Sequence, residues 1–565
     1  MKSRSEVLAA SKQTAFDVCV IGGGATGAGC ALDARLRGLR TLLLEGGDFA
    51  GATSSASTKL VHGGVRYLQQ AVRDCDIGQY RVVRRALRER KLMLENAPYL
   101  AHPLELIVPC FSRRDLYYFG AGMKLYDWMS GDRMLFPSRR LSVAESLGRL
   151  PRLNPSSLAG AVSFYDGQFD DARYGIALVK TLVDAGGAAL NYARVVGFEK
   201  NGSGRLTAAG VQDHRSGENF TVRAEVFLNA TGPFADQVRE LAKPGAQKRL
   251  RLSKGIHILL PLDGEDVTAA LLIPKTDDGR VIFAIPWLGR LLVGTTEEEV
   301  ALTDEPVVQQ EEVKYLLRHL NAYLTRAFTA DQVVSTMAGL RPLVSAGNGR
   351  NTRALARDHE LEVDRASGLI SILGGKWTTY RAMAEDAVNV VQRQLKLSAL
   401  PCITANYALA GASGYKSSLW QTLVSVFKIS AEAARQLAGK FGTDAFRVLE
   451  LVQQDPSLAA PIVAGAPGIQ AEVVYSIRHE MAMSIEDVLA RRVGVQWFSC
   501  ESALAAAPIV AAHFAREHGW TAEQAQQSVL EYTQKLRRTL VRGGPAEQGL
   551  EASTQGSVPI SQGHV

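Results

Sequence analysis

The chain has 565 residues, 46% hydrophobic and 21% charged, with 64 Lys and Arg against 57 Asp and Glu for a formal charge of +7. That length exceeds what one hydrophobic core serves, so two or three structural units with room for a large cofactor are expected, and no apolar run reaches the roughly 20 residues of a spanning helix. Six cysteines (Cys19, Cys30, Cys75, Cys110, Cys402, Cys500) form no Cys-x-x-Cys pair, which argues against dithiol centres, iron–sulfur clusters or a metal site, while the mild basic excess suits an anionic substrate or membrane surface and gives no indication of nucleic acid.

Residues 1–14 are polar, of mixed charge, and lack an apolar segment leading to a cleavage site, so a cytoplasmic location is expected, with 1–13 unstructured. Residues 16–21 read as a buried strand, 22–27 as a tight turn, 29–37 as a helix and 39–45 as a second strand, a β-α-β unit. The arginine-rich run Arg84, Arg85, Arg88, Arg90 and Lys91 reads as a solvated helix face with partners such as Glu89. Arg113, Arg114, Tyr117, Tyr118, Phe119, Lys124, Tyr126 and Trp128 combine cationic and aromatic groups as a lipid interface does, and equally as a partly buried aromatic helix does.

Further on, 170–183 reads as a helix stopped by Gly186 and Gly187, followed by short strands at 195–198, 208–212 and 221–223 in an antiparallel meander. Two apolar runs, 226–228 and 369–373, end at glycine-bearing turns, Ala230-Thr231-Gly232 and Gly374-Gly375-Lys376. Between them 256–260, 281–285 and 291–293 suggest a second sheet, and from about residue 400 the pattern turns helical. The stretch 503–514 is short, alanine-rich and interrupted by Pro508, which fits a packed helix, whereas 542–565 has too few large apolar residues to offset the entropy of ordering.

Gly22, Gly24 and Gly27 form Gly-x-Gly-x-x-Gly between a strand and a helix, where glycines admit a pyrophosphate to the backbone and the helix N-terminus favours its charge. Glu45 ends the second strand, the place of a carboxylate that binds an adenosine ribose. No second strand-linked copy of the motif offers a nicotinamide site, so the single dinucleotide is read as resident FAD. A helix near Lys376 would direct its positive end at the charge of reduced flavin.

At this point a family resemblance emerges. The run from Ile21 through Gly27, Gly29, Ala31, Asp33, Arg37 and Gly38, and the run Gly374-Gly375-Lys376-x-x-Thr379-Tyr380-Arg381-x-x-Ala384, resemble the two signatures of the FAD-dependent glycerol-3-phosphate dehydrogenases. Between them Thr53-Ser54-Ser55-Ala56-Ser57-x-Lys59-Leu60-x-His62-Gly63-Gly64-x-Arg66-Tyr67, Asp170-Asp171-Ala172-Arg173, Asn229-Ala230-Thr231-Gly232-Pro233 and Gly339-Leu340-Arg341-Pro342-Leu343 continue the likeness. It departs at Ile256, where a small polar residue is expected before His257, and at Glu297, where aspartate is expected.

The resemblance implies an α/β fold: a Rossmann-like FAD-binding domain of the D-amino-acid-oxidase type (14–80, 150–245 and 330–398), a mixed-sheet substrate domain (81–149 and 246–329) and an α-helical C-terminal domain (399–541). It implies oxidation of sn-glycerol 3-phosphate, ubiquinone or menaquinone as acceptor, peripheral attachment to the inner face of the cell membrane, and leaves room for a homodimer. It places Thr26, Thr53, Ser54, Ser57, Lys59, Leu60, His62, Gly63, Gly64, Val195, Ala230, Thr231, Gly232, Gly375, Lys376, Trp377 and Thr378 at FAD beside the glycine loop and Glu45. His62 and His257 are the candidates for the proton acceptor. Arg66, Tyr67, Arg341, Arg357 and Lys376 are those for the phosphate, with Arg341 also able to polarise the developing ketone. An oxygen-reducing glycerol-3-phosphate oxidase, an amine-oxidising relative and a silent flavin-binding scaffold are the competing readings.

Overall fold

The computed structural model describes residues 4–64, 77–262, 264, 267–345 and 359–539, and its strands fall into two sheets. The first grows from Ala15–Ile21, which pairs in parallel with Thr41–Leu44 on one side and Asn219–Asn229 on the other. Ala188–Leu190 and Ile370–Gly374 extend it in parallel. The carboxyl ends of these strands therefore meet at one edge, where an open α/β sheet binds its ligand.

Asn219–Asn229 unites what the sequence suggests as two strands. Its first half pairs antiparallel with Leu206–Asp213 in the meander, and its second half enters the parallel ladder beside Ala15–Ile21. Its burial changes accordingly, from strict alternation to a continuous buried run, because only the second half is covered on both faces. The helix of the β-α-β unit, Ala25–Leu36, starts four residues earlier than the sequence suggests. Gly29 there lets Tyr380 approach, since a Cβ would come within 2.8 Å of its ring.

The second sheet is built on Leu250–Pro261, antiparallel to Ser335–Val344 and to Arg290–Gly294. It continues through Ile282–Trp287, Ala270–Ile273, Ala101–Cys110 and Gly160–Phe169 to the edge strand Leu60–Val61. The domain boundaries expected from the sequence are therefore corrected at three places. Leu60–Val61, Gly160–Phe169 and Ser335–Val344 lie in ranges assigned to the FAD-binding domain yet hydrogen-bond into the second sheet, so the chain crosses between sheets more often than composition reveals.

Two further expectations are corrected. Residues 4–13 of the supposedly unstructured 1–13 are the helix Arg4–Gln13, docked by buried Val7 and by Arg4 Nη2 on Asp213 Oδ1 at 2.8 Å. In the arginine-rich run, Arg90 is buried against Asp166 at 2.5 Å and Glu89 pairs with Arg381, so this part of the helix Ile77–Asn96 faces the interior. The C-terminal region is helical from Leu419–Phe427 to Ala522–Thr539, and Cys500–His518 runs through Pro508. Residues 540–565 lie outside the described residues.

Candidate active site

The glycine turn is shaped by space. Gly22 adopts φ +106, and a Cβ there would stand 2.6 Å from Ala230 O. A Cβ on Gly27 would overlap Gly22 O, and one on Gly24 would meet Ser54 Oγ at 2.8 Å. The helix that follows carries no acidic residue in its first turn; Thr26 is half-buried there, and Ala25 N donates to Ser54 Oγ at 3.0 Å. Its positive end is thus suited to a pyrophosphate.

Glu45 accepts hydrogen bonds from Gly23 N at 2.6 Å and Gly47 N at 2.7 Å, one on each carboxylate oxygen. Burial pushes its pKa up and these two N–H groups oppose the rise. Ala230 N is tied to Ile21 O at 2.8 Å and Thr231 Oγ1 to Asn229 Oδ1 at 2.7 Å, while Gly232 takes φ +56. The Val195 side chain packs in the core, so it can offer a ligand only its backbone. This cradle fits a dinucleotide: the glycines leave room for backbone approach, and Glu45 is fixed at the strand end.

The loop from Thr53 to Gly64 spans the two sheets. Thr53 Oγ1 donates to Leu340 O at 2.6 Å, Ser57 N to Asp171 Oδ2 at 3.0 Å, and Trp377 Nε1 to Ser54 O at 2.9 Å. Lys59, at φ +59, is buried; its Nζ meets Asp171 Oδ1 at 2.5 Å and Ser55 O at 2.8 Å and lies 4.6 Å from the Trp287 ring centre. Its charge is used to close the loop, and removing Asp171 would cost about 3–5 kcal/mol by stranding a buried cation. Leu60 is buried and His62 half-buried; Gly63 N donates to Tyr126 OH at 2.9 Å, beneath which Asp166 binds both Tyr126 and Arg90. Gly64 takes φ +84.

The second sheet contributes charge. The register sets Ser253 opposite Arg341, Gly255 opposite Gly339 and His257 opposite Met337, with Gly294 across from His257 on the other neighbour. A Cβ on Gly255 would overlap the Arg341 guanidinium and one on Gly294 the His257 ring, so these strand glycines make room for the two side chains. Arg341 donates to Thr295 Oγ1 at 2.9 Å and Thr296 O at 3.2 Å. His257 Nε2 lies 3.0 Å from Thr58 Oγ1, and its buried Nδ1 has no hydrogen-bond partner among the described residues. Burial, then the charges of Arg341 and Lys59, bring the His257 pKa down to about 3, so the ring is neutral near pH 7.

Where Ile370–Gly374 ends, Gly375 takes φ +94, Lys376 opens the turn Trp377–Thr379 and the helix Tyr380–Gln394 follows. Trp377 is wedged among Phe169, Tyr174 and Tyr380 at centroid distances of 5.2, 5.7 and 5.5 Å, and Thr378 is buried. The structure thus brings His257 and Arg341 onto one face of the second sheet, sets Thr58 against His257 and ties Thr53 to the Leu340 carbonyl next to Arg341. Arg66, Tyr67 and Arg357 lie outside the described residues. Thr58, Thr295, Thr296 and the Tyr126–Asp166–Arg90 network escaped the sequence reading; a glycine inside an apolar strand, as at Gly255, was the available sign of a close approach.

A doubly sheeted α/β fold with this dinucleotide cradle and a charged second sheet defines a flavin-dependent oxidoreductase of the D-amino-acid-oxidase type. Residues 17–381 match the family model described as FAD dependent oxidoreductase, and residues 402–525 that of the C-terminal domain of alpha-glycerophosphate oxidase. The mitochondrial glycerol-3-phosphate dehydrogenase of Arabidopsis thaliana is 38% identical over 545 residues, covering 93% of this chain and 86% of its own length. The mitochondrial enzyme of Homo sapiens is 38% identical over 543 residues, covering 94% and 74%. The glycerol-3-phosphate dehydrogenase of Bacillus halodurans, solved with FAD, superposes with a TM-score of 0.78 at 29% identity over 95% of this chain and 97% of its own. The chain belongs to the FAD-dependent glycerol-3-phosphate dehydrogenase family, and FAD is its cofactor.

Proposed function

We propose that this protein oxidises sn-glycerol 3-phosphate to dihydroxyacetone phosphate and passes the electrons to ubiquinone or menaquinone. The observation that carries the reading is the placement of the His257 imidazole and the Arg341 guanidinium on one face of the second sheet, beside the loop that reaches the glycine cradle. Oxidising a secondary alcohol removes a hydride from carbon and a proton from the hydroxyl. FAD, when bound, accepts the hydride. His257 takes the hydroxyl proton, with His62 the other candidate, and Thr58 orients the imidazole. Arg341 binds the phosphate or the oxygen that becomes the ketone, and Arg66, Tyr67, Arg357 and Lys376 complete the anion site. Gly22, Gly24, Thr26, Gly27 and Glu45 hold the adenosine and pyrophosphate, while the 53–64, 230–232 and 375–378 turns hold the rest of FAD.

The helix Arg113–Ser130 supports attachment to an anionic membrane surface, on the inner face of the cell membrane. Tyr117, Tyr118 and Trp128 are 60%, 59% and 71% exposed, and Arg140 lies 4.5 Å from the Tyr117 ring centre. No helix among the described residues is long and apolar enough to cross a membrane. Co-sedimentation with anionic vesicles that is lost in Trp128→Ser checks this part.

The test of the reaction is anaerobic. Addition of sn-glycerol 3-phosphate to the purified flavoprotein should bleach the visible flavin band, and a quinone analogue should restore it faster than oxygen does. Faster recovery with oxygen would reassign the protein as an oxidase; an unbleached flavin would overturn the substrate.

A further inference from the structure

Between the first sheet and the C-terminal helices lies a cluster of buried charges that the proposed chemistry does not use. The segment Asp487–Arg492 is a turn of π-helix, a rare geometry that occurs often at functional positions. Its wider winding lets consecutive side chains converge, and Arg491 and Arg492 both grip one carboxylate, Asp48. Arg492 Nη2 donates to Asp48 Oδ1 at 2.9 Å, Arg492 Nη1 to Oδ2, and Arg491 Nε to Oδ2 at 2.6 Å. Arg491 Nη2 also meets Asp487 Oδ1 at 2.7 Å, and Asp487 accepts from Tyr192 OH at 2.7 Å. Asp48, Asp487, Arg491 and Arg492 are all buried, and Glu486, itself paired with Lys535 at 2.8 Å, lies 3.5 Å from Arg491 Nη1 at the cluster's edge.

Such a cluster is weak as a stabiliser, because desolvation offsets most of the attraction; its best-attested use is to fix register. What it fixes here is three residues from Glu45. Gly47 N holds one Glu45 oxygen at 2.7 Å, and Gly47 O accepts from Tyr192 N at 2.8 Å. The Glu45 backbone is pinned by Leu190 and Ala193 at 2.9 and 2.7 Å. Ala50 N bonds Gly23 O at 3.0 Å, and Phe49 packs so close to Gly23 that a Cβ there would lie 2.8 Å from its ring. Residues 46–50 thus form the second wall of the glycine cradle, and Asp48 anchors that wall to the C-terminal domain.

We propose that Arg491 and Arg492 are positioning residues for FAD: by holding Asp48 they set Gly47 and the Glu45 carboxylate that receives the ribose. The C-terminal domain thereby governs cofactor affinity across the domain boundary. The inference rests on the placement of Glu45 at FAD and is independent of which substrate is oxidised, so its failure would leave the substrate assignment standing.

The test is Arg492→Met in the full chain, read as the FAD dissociation constant by fluorescence titration of deflavinated protein. The thermal midpoint of the apoprotein and KM for sn-glycerol 3-phosphate at saturating FAD are measured alongside. FAD should bind roughly 5- to 150-fold more weakly, the range of an ordinary coupling between sites, with KM unchanged. Lys440→Met, which breaks the buried Lys440–Glu472 pair (2.8 Å) inside the C-terminal domain, should lower the midpoint and leave FAD affinity unaltered. If Arg492→Met does not fold, Asp48→Asn, which keeps the shape and removes the charge, decides the same question with weaker FAD binding expected. Parental FAD affinity in the deciding variant, or an equal loss in Lys440→Met, would overturn the proposal.

Discussion

The cofactor end and the substrate end of the site are built by opposite means. At the cofactor end the glycine turn offers backbone atoms, with the Glu45 carboxylate beside it, and what matters is the absence of Cβ atoms at Gly22 and Gly27. At the substrate end they are side chains carried on separate strands, Leu250–Pro261 for His257 and Ser335–Val344 for Arg341, with Thr58 arriving from the loop. The first end is sensitive to added volume; the second depends on charge and on the space left by Gly255 and Gly294.

The largest effect that sharpens this contrast is expected from Gly27→Val, whose side chain would overlap Gly22 O. The purified variant should carry no FAD, checked by flavin absorbance per polypeptide after gel filtration; stoichiometric flavin would break the comparison. Next comes Arg341→Ala, which should retain FAD yet lose about 10²–10³-fold in kcat/KM for sn-glycerol 3-phosphate, as removal of a charge-stabilising donor does. Gly294→Ala should displace the His257 ring with FAD binding intact, and a shift of about 1 Å at a reacting group costs about 10²-fold in kcat.

The smallest effect concerns pH. The folded His257 pKa, about 3, lies below the ordinary 6.5, so the unfolded chain binds the proton first as pH falls. The stability associated with neutral His257 is full above about pH 6.5 and is lost as pH drops towards 3. In this window His257→Gln should show a shallower loss of unfolding free energy, by at most about 1.4 kcal/mol per pH unit. Denaturant titrations at several pH values check this; parallel slopes for parent and variant would contradict the buried, neutral ring.

The same contrast explains what the sequence disclosed. The glycine loop and Glu45 are legible because strand, turn, helix and carboxylate follow one another directly. The helix begins at Ala25 and not at residue 29, because Gly27 looks like a turn residue when it is in fact the close-packing point of a helix against Gly22 O. His257 and Arg341 were found through family resemblance, since nothing local marks two residues that meet only through antiparallel register. Arg491 and Arg492 belong to the fainter family likeness of the C-terminal region, but their tie to Asp48 is not legible, because buried ion pairs between distant segments leave no pattern along the chain. Arg90 shows the converse: an arginine run on a helix reads as solvated until Asp166 is seen beneath it.

The most direct test of the division between the two ends is a single anaerobic comparison of parent protein and Arg341→Ala at equal FAD occupancy, each mixed with sn-glycerol 3-phosphate. The parent flavin should bleach within one turnover, whereas the variant, with the same bound flavin and an undisturbed cradle, should bleach about 10²–10³-fold more slowly. Equal bleaching rates would contradict the role of the second sheet in oxidising the substrate.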